Sequence, residues 1–180
     1  ARLVAVVAVG VAACVGAAAL AHDDGEASPP AVQPSSLRDA AAAGLQVSAW
    51  LPYWDDGSGL ASLEAHGKAI DAVHLFWFEA RSAEDVALQA KKTGTAVDVA
   101  RHAGAKVLAT ITEKLGPRDF GALLADAAER SRHARVVCDL AVRSGFDGVD
   151  LDYESFALGA APADVDALAR GYVALVSELA

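Results

Sequence analysis

Four short apolar runs, each followed by a helical pattern, succeed one another between Leu45 and Ala180. Gln46–Trp54, Ile70–Glu79, Lys106–Thr112 and Phe146–Glu154 read as strands, rich in Val, Ile and aromatic residues. Helical spacing follows over Leu60–Lys68, Val97–Ala103, Asp119–Asp126, Glu129–Ser144 and Ala163–Ala180. Gly104 and Gly145 stand where helices close. Strand–helix alternation with short connections requires parallel strands joined by helical crossovers. Strands covered on both faces should be apolar throughout, and these largely are. A doubly wound α/β sheet and a (β/α)8 barrel both fit this pattern.

The fourth strand carries Asp150, Asp152 and Glu154, two residues apart, with Leu151 and Tyr153 between them. Side chains of a strand alternate faces, so the three carboxylates share one face. Their neighbouring Cα atoms lie roughly 6.5–7 Å apart. Like charges this close resist joint ionisation, so at least one carboxyl should keep its proton well above the usual range. A proton-holding acid beside ionised carboxylates suits acid-assisted cleavage of a glycosidic bond. Carboxylates at the C-terminal end of a strand are where barrel enzymes place their chemistry, and this decides for the TIM barrel. Four strand–helix units are half of such a barrel, which takes roughly 250 residues. The chain is therefore expected to hold about the first four units and to continue in the natural protein. An open half-barrel leaves strand edges unpaired, so residues 45–180 alone should fold poorly or self-associate.

The formal charge of -9 argues against nucleic-acid binding, which rests on phosphate neutralisation. Residues 3–21 are an almost unbroken apolar run after Arg2, ending at Ala19-Leu20-Ala21 before His22-Asp23-Asp24. A basic start, an apolar core and a small-x-small end read as a secretory signal peptide. A transmembrane anchor is the alternative, weakened by the many Ala and Gly residues in the run. Lipid attachment at Cys14, after Val11-Ala12-Ala13, is a third reading, opposed by the apolar residues that follow it. Residues 22–44, with Ser28-Pro29-Pro30 and Gln33-Pro34-Ser35-Ser36, read as a linker, and the domain occupies 45–180. Cleavage after Ala21 would leave Cys138 as the one cysteine, read as a buried small hydrophobe.

Asp147-Gly148-Val149-Asp150-Leu151-Asp152-Tyr153-Glu154 resembles the D-G-x-D-x-D-x-E signature of glycoside hydrolase family 18, the chitinases and chitinase-like proteins. The resemblance implies the (β/α)8 barrel independently. It implies that Glu154 is the general acid and that Asp152 orients the substrate's 2-acetamido group, whose oxygen serves as nucleophile. Asp150 would share a proton or hydrogen bond with Asp152 and tune the set. Asp147 has the opposite parity and should face away from the lumen, satisfying backbone N–H groups near the Gly145 turn. Gly148 should permit close packing at the strand start. Val47–Trp54 and Phe76–Glu79 are similar to a bacterial subgroup of the family, the spore-cortex and cell-wall hydrolases. The implied activity is cleavage of β-1,4 bonds in polymers containing N-acetylglucosamine, chitin or peptidoglycan, with retention and without a cofactor. The rival expectation is a non-catalytic, lectin-like glycan-binding module of the same fold.

Aromatic rings at strand ends suit the apolar faces of sugars, which makes Tyr53, Trp54 and Trp77 candidate substrate contacts. Glu79 also ends a strand and joins them. Thr110, Thr112 and Glu113 could line the same cleft. Phe76 and Phe78 read as core. Asp-x-Asp-x-Glu could offer oxygen ligands to a metal, but calcium loops carry Gly, Asn and carbonyls where this strand has Val, Leu and Tyr. His66, His74, His102 and His133 lack metal-ligand spacing and read as surface or packed residues. No metal and no stable protein partner is expected; the partner is a polysaccharide.

Overall fold

The computed structural model describes residues 4–6, 46–54, 56–90, 94–154 and 164–180. Its centre is a parallel sheet of β2 (Ser48–Pro52), β3 (Ala72–Ala80), β5 (Lys106–Glu113) and β6 (Gly148–Asp152). Their spatial order is β6-β5-β3-β2, the order in which a barrel winds. Two short strands are added to it. β4 (Val86–Leu88) pairs antiparallel with the end of β3. β1 (Val4–Val6) runs parallel to β6, with Val6 in register with Asp150. The rest of the apolar run 3–21, including Cys14, and the linker 22–44 lie outside the described residues.

The crossovers are α1 (Asp56–His66), extended by a 3-10 turn at Gly67–Ala69, then α2 (Gly94–Ala103), α3 (Pro117–Ala125) and α4 (Ala127–Ser144), with α5 (Val165–Leu179) after β6. The α/β architecture is thus four strand–helix units of the TIM-barrel kind, as expected from the alternation together with the carboxylates at the end of the fourth strand. Among the described residues, no helix is long and apolar enough to cross a membrane.

Strand parity sorts the residues. Val73, Leu75, Val107, Ala109, Ile111, Val149 and Leu151 are buried, in one core with Ala100, Phe120, Leu124, Val137, Ala141 and Leu175 of the helices. Each fully buried aliphatic side chain contributes roughly 1.5–3 kcal/mol. The alternate residues His74, Phe76, Leu108, Thr110, Asp150 and Asp152 share the other face, the one that becomes a barrel lumen.

Local chemistry fixes the joints. Asp126, predicted to end a helix, ends α3 and also caps α4: its carboxylate accepts from Ala128 N (2.8 Å) and Glu129 N (3.1 Å). Those bonds hold its carboxyl below the usual range. Gly145 closes α4 with φ 66°, a conformation that disfavours a side chain. Gly171 lets α5 approach α3, since a Cβ there would lie 3.0 Å from the Leu124 carbonyl oxygen.

Asp147 does have a structural role, at a different partner from the one expected. Its Oδ2 accepts from Val107 N (2.8 Å) at the start of β5, while its own N–H donates to Val107 O (2.8 Å). Asp71 does the same two units earlier, with Val47 N at 2.7 Å and Val47 O at 2.7 Å. The two sites belong to a short internal repeat, Ile70-Asp71-Ala72-Val73-His74 against Phe146-Asp147-Gly148-Val149-Asp150.

Candidate active site

β6 delivers its carboxylates at three depths. Asp150 is deepest, 1% exposed, Asp152 is half-buried and Glu154 is exposed at the rim. Asp150 Oδ2 accepts three hydrogen bonds, one from each of the other main strands. They come from Trp50 Nε1 of β2 (3.0 Å), His74 Nδ1 of β3 (2.8 Å) and Thr110 Oγ1 of β5 (3.0 Å). Burial alone would raise the Asp150 carboxyl. The bonds from His74 and Trp50, the His74 charge and the Thr110 hydroxyl outweigh it and hold the carboxyl below its ordinary value.

Asp152 moves the other way, up to about 6. Burial is the main cause, followed by the charges of Glu154, Asp150 and Glu113. The column thus keeps a proton in its middle, first because Asp152 is buried and second because of the like charges that the spacing brings together. Asp150 is anchored by donors from other strands rather than by the expected proton shared with Asp152, and the two are coupled by charge. Glu154 is set by its backbone: its N–H is received by both carboxylate oxygens of Glu113, at 3.1 and 3.0 Å.

The opposite face of the motif is locked to the helical layer. Tyr153 packs edge-on to Phe120 at 5.2 Å, and its hydroxyl lies 2.6 Å from His133 Nε2. His133 Nδ1 lies 3.2 Å from the Ala83 carbonyl, which can only accept. The imidazole therefore donates at Nδ1 and accepts the Tyr153 proton at Nε2. Burial lowers the His133 pKa and keeps that neutral form. Tyr172 of α5 donates to Leu151 O (3.4 Å), and burial, with the charges of Asp150, Glu113 and Asp152, pushes its phenol up to about 12.

Around this column the aromatics divide. Trp50 in the middle of β2 and Tyr53 and Trp54 just after it are exposed, with Tyr53 and Trp54 edge to face at 4.9 Å and Trp54 against Phe76 at 5.5 Å. Trp77 does not join them: it is 1% exposed, with no ring face open to a sugar. The physical reason is a β-bulge. The register of β3 on β5 shifts between Phe76 and Phe78, so Trp77 is the inserted residue and the alternation changes phase. The same shift brings Glu79 level with Thr112, which is level with Asp152. The Glu79 carboxylate is met there by Arg81 Nε (3.0 Å), Gln89 Nε2 (3.3 Å) and Lys114 Nζ (3.7 Å). Phe78 is core, as predicted, and Phe76 is partly open beneath Trp54. Cys138 is half-buried on α4, its thiol raised by burial and by Asp139. Among the described residues, no group of three or more His, Cys, Asp or Glu side chains is arranged to hold a metal ion.

Two site residues escaped the sequence reading. His74 reads from sequence as a packed or surface histidine, and Trp50 carries no local signal that sets it apart within Val47–Trp54. The internal repeat was the available signal, because it sets His74 in the position Asp150 occupies two strands later, a quarter-turn of an eight-stranded barrel.

Several solved structures share this fold. A family 18 chitinase from Pseudoalteromonas aurantia superposes with a TM-score of 0.56 at 22% identity, over 74% of this chain and 50% of its own. A chitinase from Chromobacterium violaceum gives 0.60 at 15% identity, over 74% and 42%. The spore cortex-lytic enzyme SleL of Bacillus cereus gives 0.56 at 18% identity, over 72% and 31%. The fold is that of the family 18 chitinases. The chain spans half or less of the length of these structures. No known family's sequence profile matches it. No curated protein matches it either.

Proposed function

We propose that this chain carries the acid half of a glycoside hydrolase site, which cuts β-1,4 bonds beside N-acetylglucosamine by substrate-assisted, retaining catalysis. The observation that carries the reading is the graded column of Asp150, Asp152 and Glu154 at the end of β6, with a proton held at Asp152 up to about pH 6. In this scheme Glu154 gives its proton to the leaving oxygen while the acetamido oxygen of the same sugar attacks the anomeric carbon. Asp152 orients the acetamide; as positive charge develops on the cyclised nitrogen, the Asp152 proton passes to the ionised Asp150 beneath it, and the Asp152 carboxylate stabilises that charge. Water then opens the ring and returns a proton to Glu154. Asp150 gives its proton back to Asp152 as that charge is discharged. Tyr53 and Trp54 offer ring faces to sugar units, and Glu79 offers a carboxylate at the level of Asp152.

Chitin and peptidoglycan both supply such bonds. The likeness to SleL and the phrase Val47–Trp54 support the cell-wall polymer, and the apolar run 3–21 supports export to reach it, as a secreted or wall-bound protein. The test is release of new reducing ends from chitin oligosaccharides, purified peptidoglycan and a de-N-acetylated oligosaccharide, with the first-formed anomer read by NMR. Cleavage confined to acetylated substrates, with the β anomer first, is expected. Equal cleavage of the de-N-acetylated oligomer contradicts substrate assistance. Binding without any release favours the lectin-like module.

A further inference from the structure

His74 interrupts a strand that is otherwise apolar from Ala72 to Phe78. A buried imidazole costs desolvation unless a partner receives it, and a Leu at this place would fill the space at no such cost. The partner here is the buried carboxylate of Asp150, two strands away. Trp50 and Thr110 already donate to the same oxygen, so His74 is not needed merely to satisfy it. What distinguishes His74 from the other two donors is that it gives the shortest of the three bonds, 2.8 Å against 3.0 Å from Trp50 and from Thr110.

We propose that His74 is a positioning residue for the hydrolysis: its Nδ1–H fixes Asp150 as an anion, so that the proton of the column resides on Asp152, beside Glu154 and the substrate acetamide. The inference rests on the reading of the column given above and deepens it. If Asp150 loses a donor it takes up a proton more readily. A neutral Asp150 no longer repels the charge of Asp152, and Asp152 then ionises at lower pH. The charged and titratable groups set around Asp152 are Asp150 on its own strand, Glu154 two residues beyond it, Glu113 of β5 and Tyr172 of α5. Those around Asp150 are His74 of β3 and Tyr172, with the neutral donors Trp50 and Thr110. A change at His74 leaves Glu113, Glu154 and Tyr172 in place, so the titration of Asp152 reports on Asp150.

The experiment compares His74→Leu, which removes the donor, with His74→Asn, whose side-chain amide keeps one on the same branch. kcat and KM on N-acetylglucosamine oligosaccharides are followed against pH, and the Asp152 carboxyl is titrated by 13C NMR without substrate. His74→Leu should lower kcat about tenfold or more with KM changed less than about twofold. It should also move the ionisation near pH 6 downward. His74→Asn should restore most of kcat and leave that ionisation nearer its original place. Thr110→Val, nearly isosteric, removes another donor from the same oxygen and should shift Asp152 in the same direction even if His74→Leu fails to fold. An Asp152 titration unmoved in His74→Leu and Thr110→Val overturns the proposal, as does equal impairment of the Leu and Asn variants. If wild type cuts no glycan at all, the enzymatic reading fails by itself, and the NMR titration still decides the role of His74.

Discussion

Asp152 carries a proton where an ordinary aspartate would not, and the chain bears a cost for it. Its folded-state pKa lies above the unfolded value, so the stability this group allows is fully present below the unfolded pKa of about 4 and is lost as pH rises through about 6. A shift of this size corresponds to on the order of 2 kcal/mol once partial exposure is allowed for. Asp152→Asn should therefore melt higher than wild type at pH 8, and the gap should close towards pH 4. A gap that stays constant across this range in thermal unfolding contradicts the assignment. The same variant should lose the activity limb near pH 6. Asp150 is the reverse case: burial is outweighed by its donors, its pKa is lowered, and its contribution is lost only on strong acidification. The two-residue spacing made a raised carboxyl legible in the sequence. It could not show which one, because the answer depends on Trp50, His74 and Thr110, which arrive from three other strands.

At the scale of elements, strands and helix ends were legible wherever a local rule governs them. Gly104 and Gly145 close α2 and α4 with positive φ, as read from sequence. Apolar runs gave β3, β5 and β6 to within a few residues. The bulge in β3 was not legible, because no Gly or Pro marks it; it is fixed by pairing with β5, and it is why Trp77 is core and Glu79 is level with Asp152. The paired clasps of Asp71 and Asp147 were half legible, since parity gave the direction of Asp147 but not its partner. Asp126→Ala removes two hydrogen bonds at the start of α4 and should lower the denaturant midpoint of unfolding. Asp147→Ala leaves Val107 N without its side-chain acceptor and should cost about 1 kcal/mol, without changing the chemistry of the lumen face. A loss near zero in either variant would mean that water replaces the carboxylate fully.

For the whole molecule, the alternation of strand and helix narrowed the architecture to a doubly wound sheet or a barrel, because parallel strands admit few topologies, and the carboxylates at the strand end selected the barrel. Length against the chitinase structures places the four units at half or less of those chains. β6 is met on its outer side by Val4–Val6, three residues of pairing along an edge of five. Residues 45–180 expressed without that strand should self-associate through the uncovered edge, seen as a sedimentation coefficient that rises with concentration. A monomer with one sharp unfolding transition contradicts this. The central claim is that the column on β6 is a working acid site, and the rate of reducing-end release from N-acetylglucosamine oligosaccharides by wild type and Glu154→Gln tests it most directly. The account predicts a fall of at least about a hundredfold in kcat with glycan binding retained; a variant as active as wild type would contradict it.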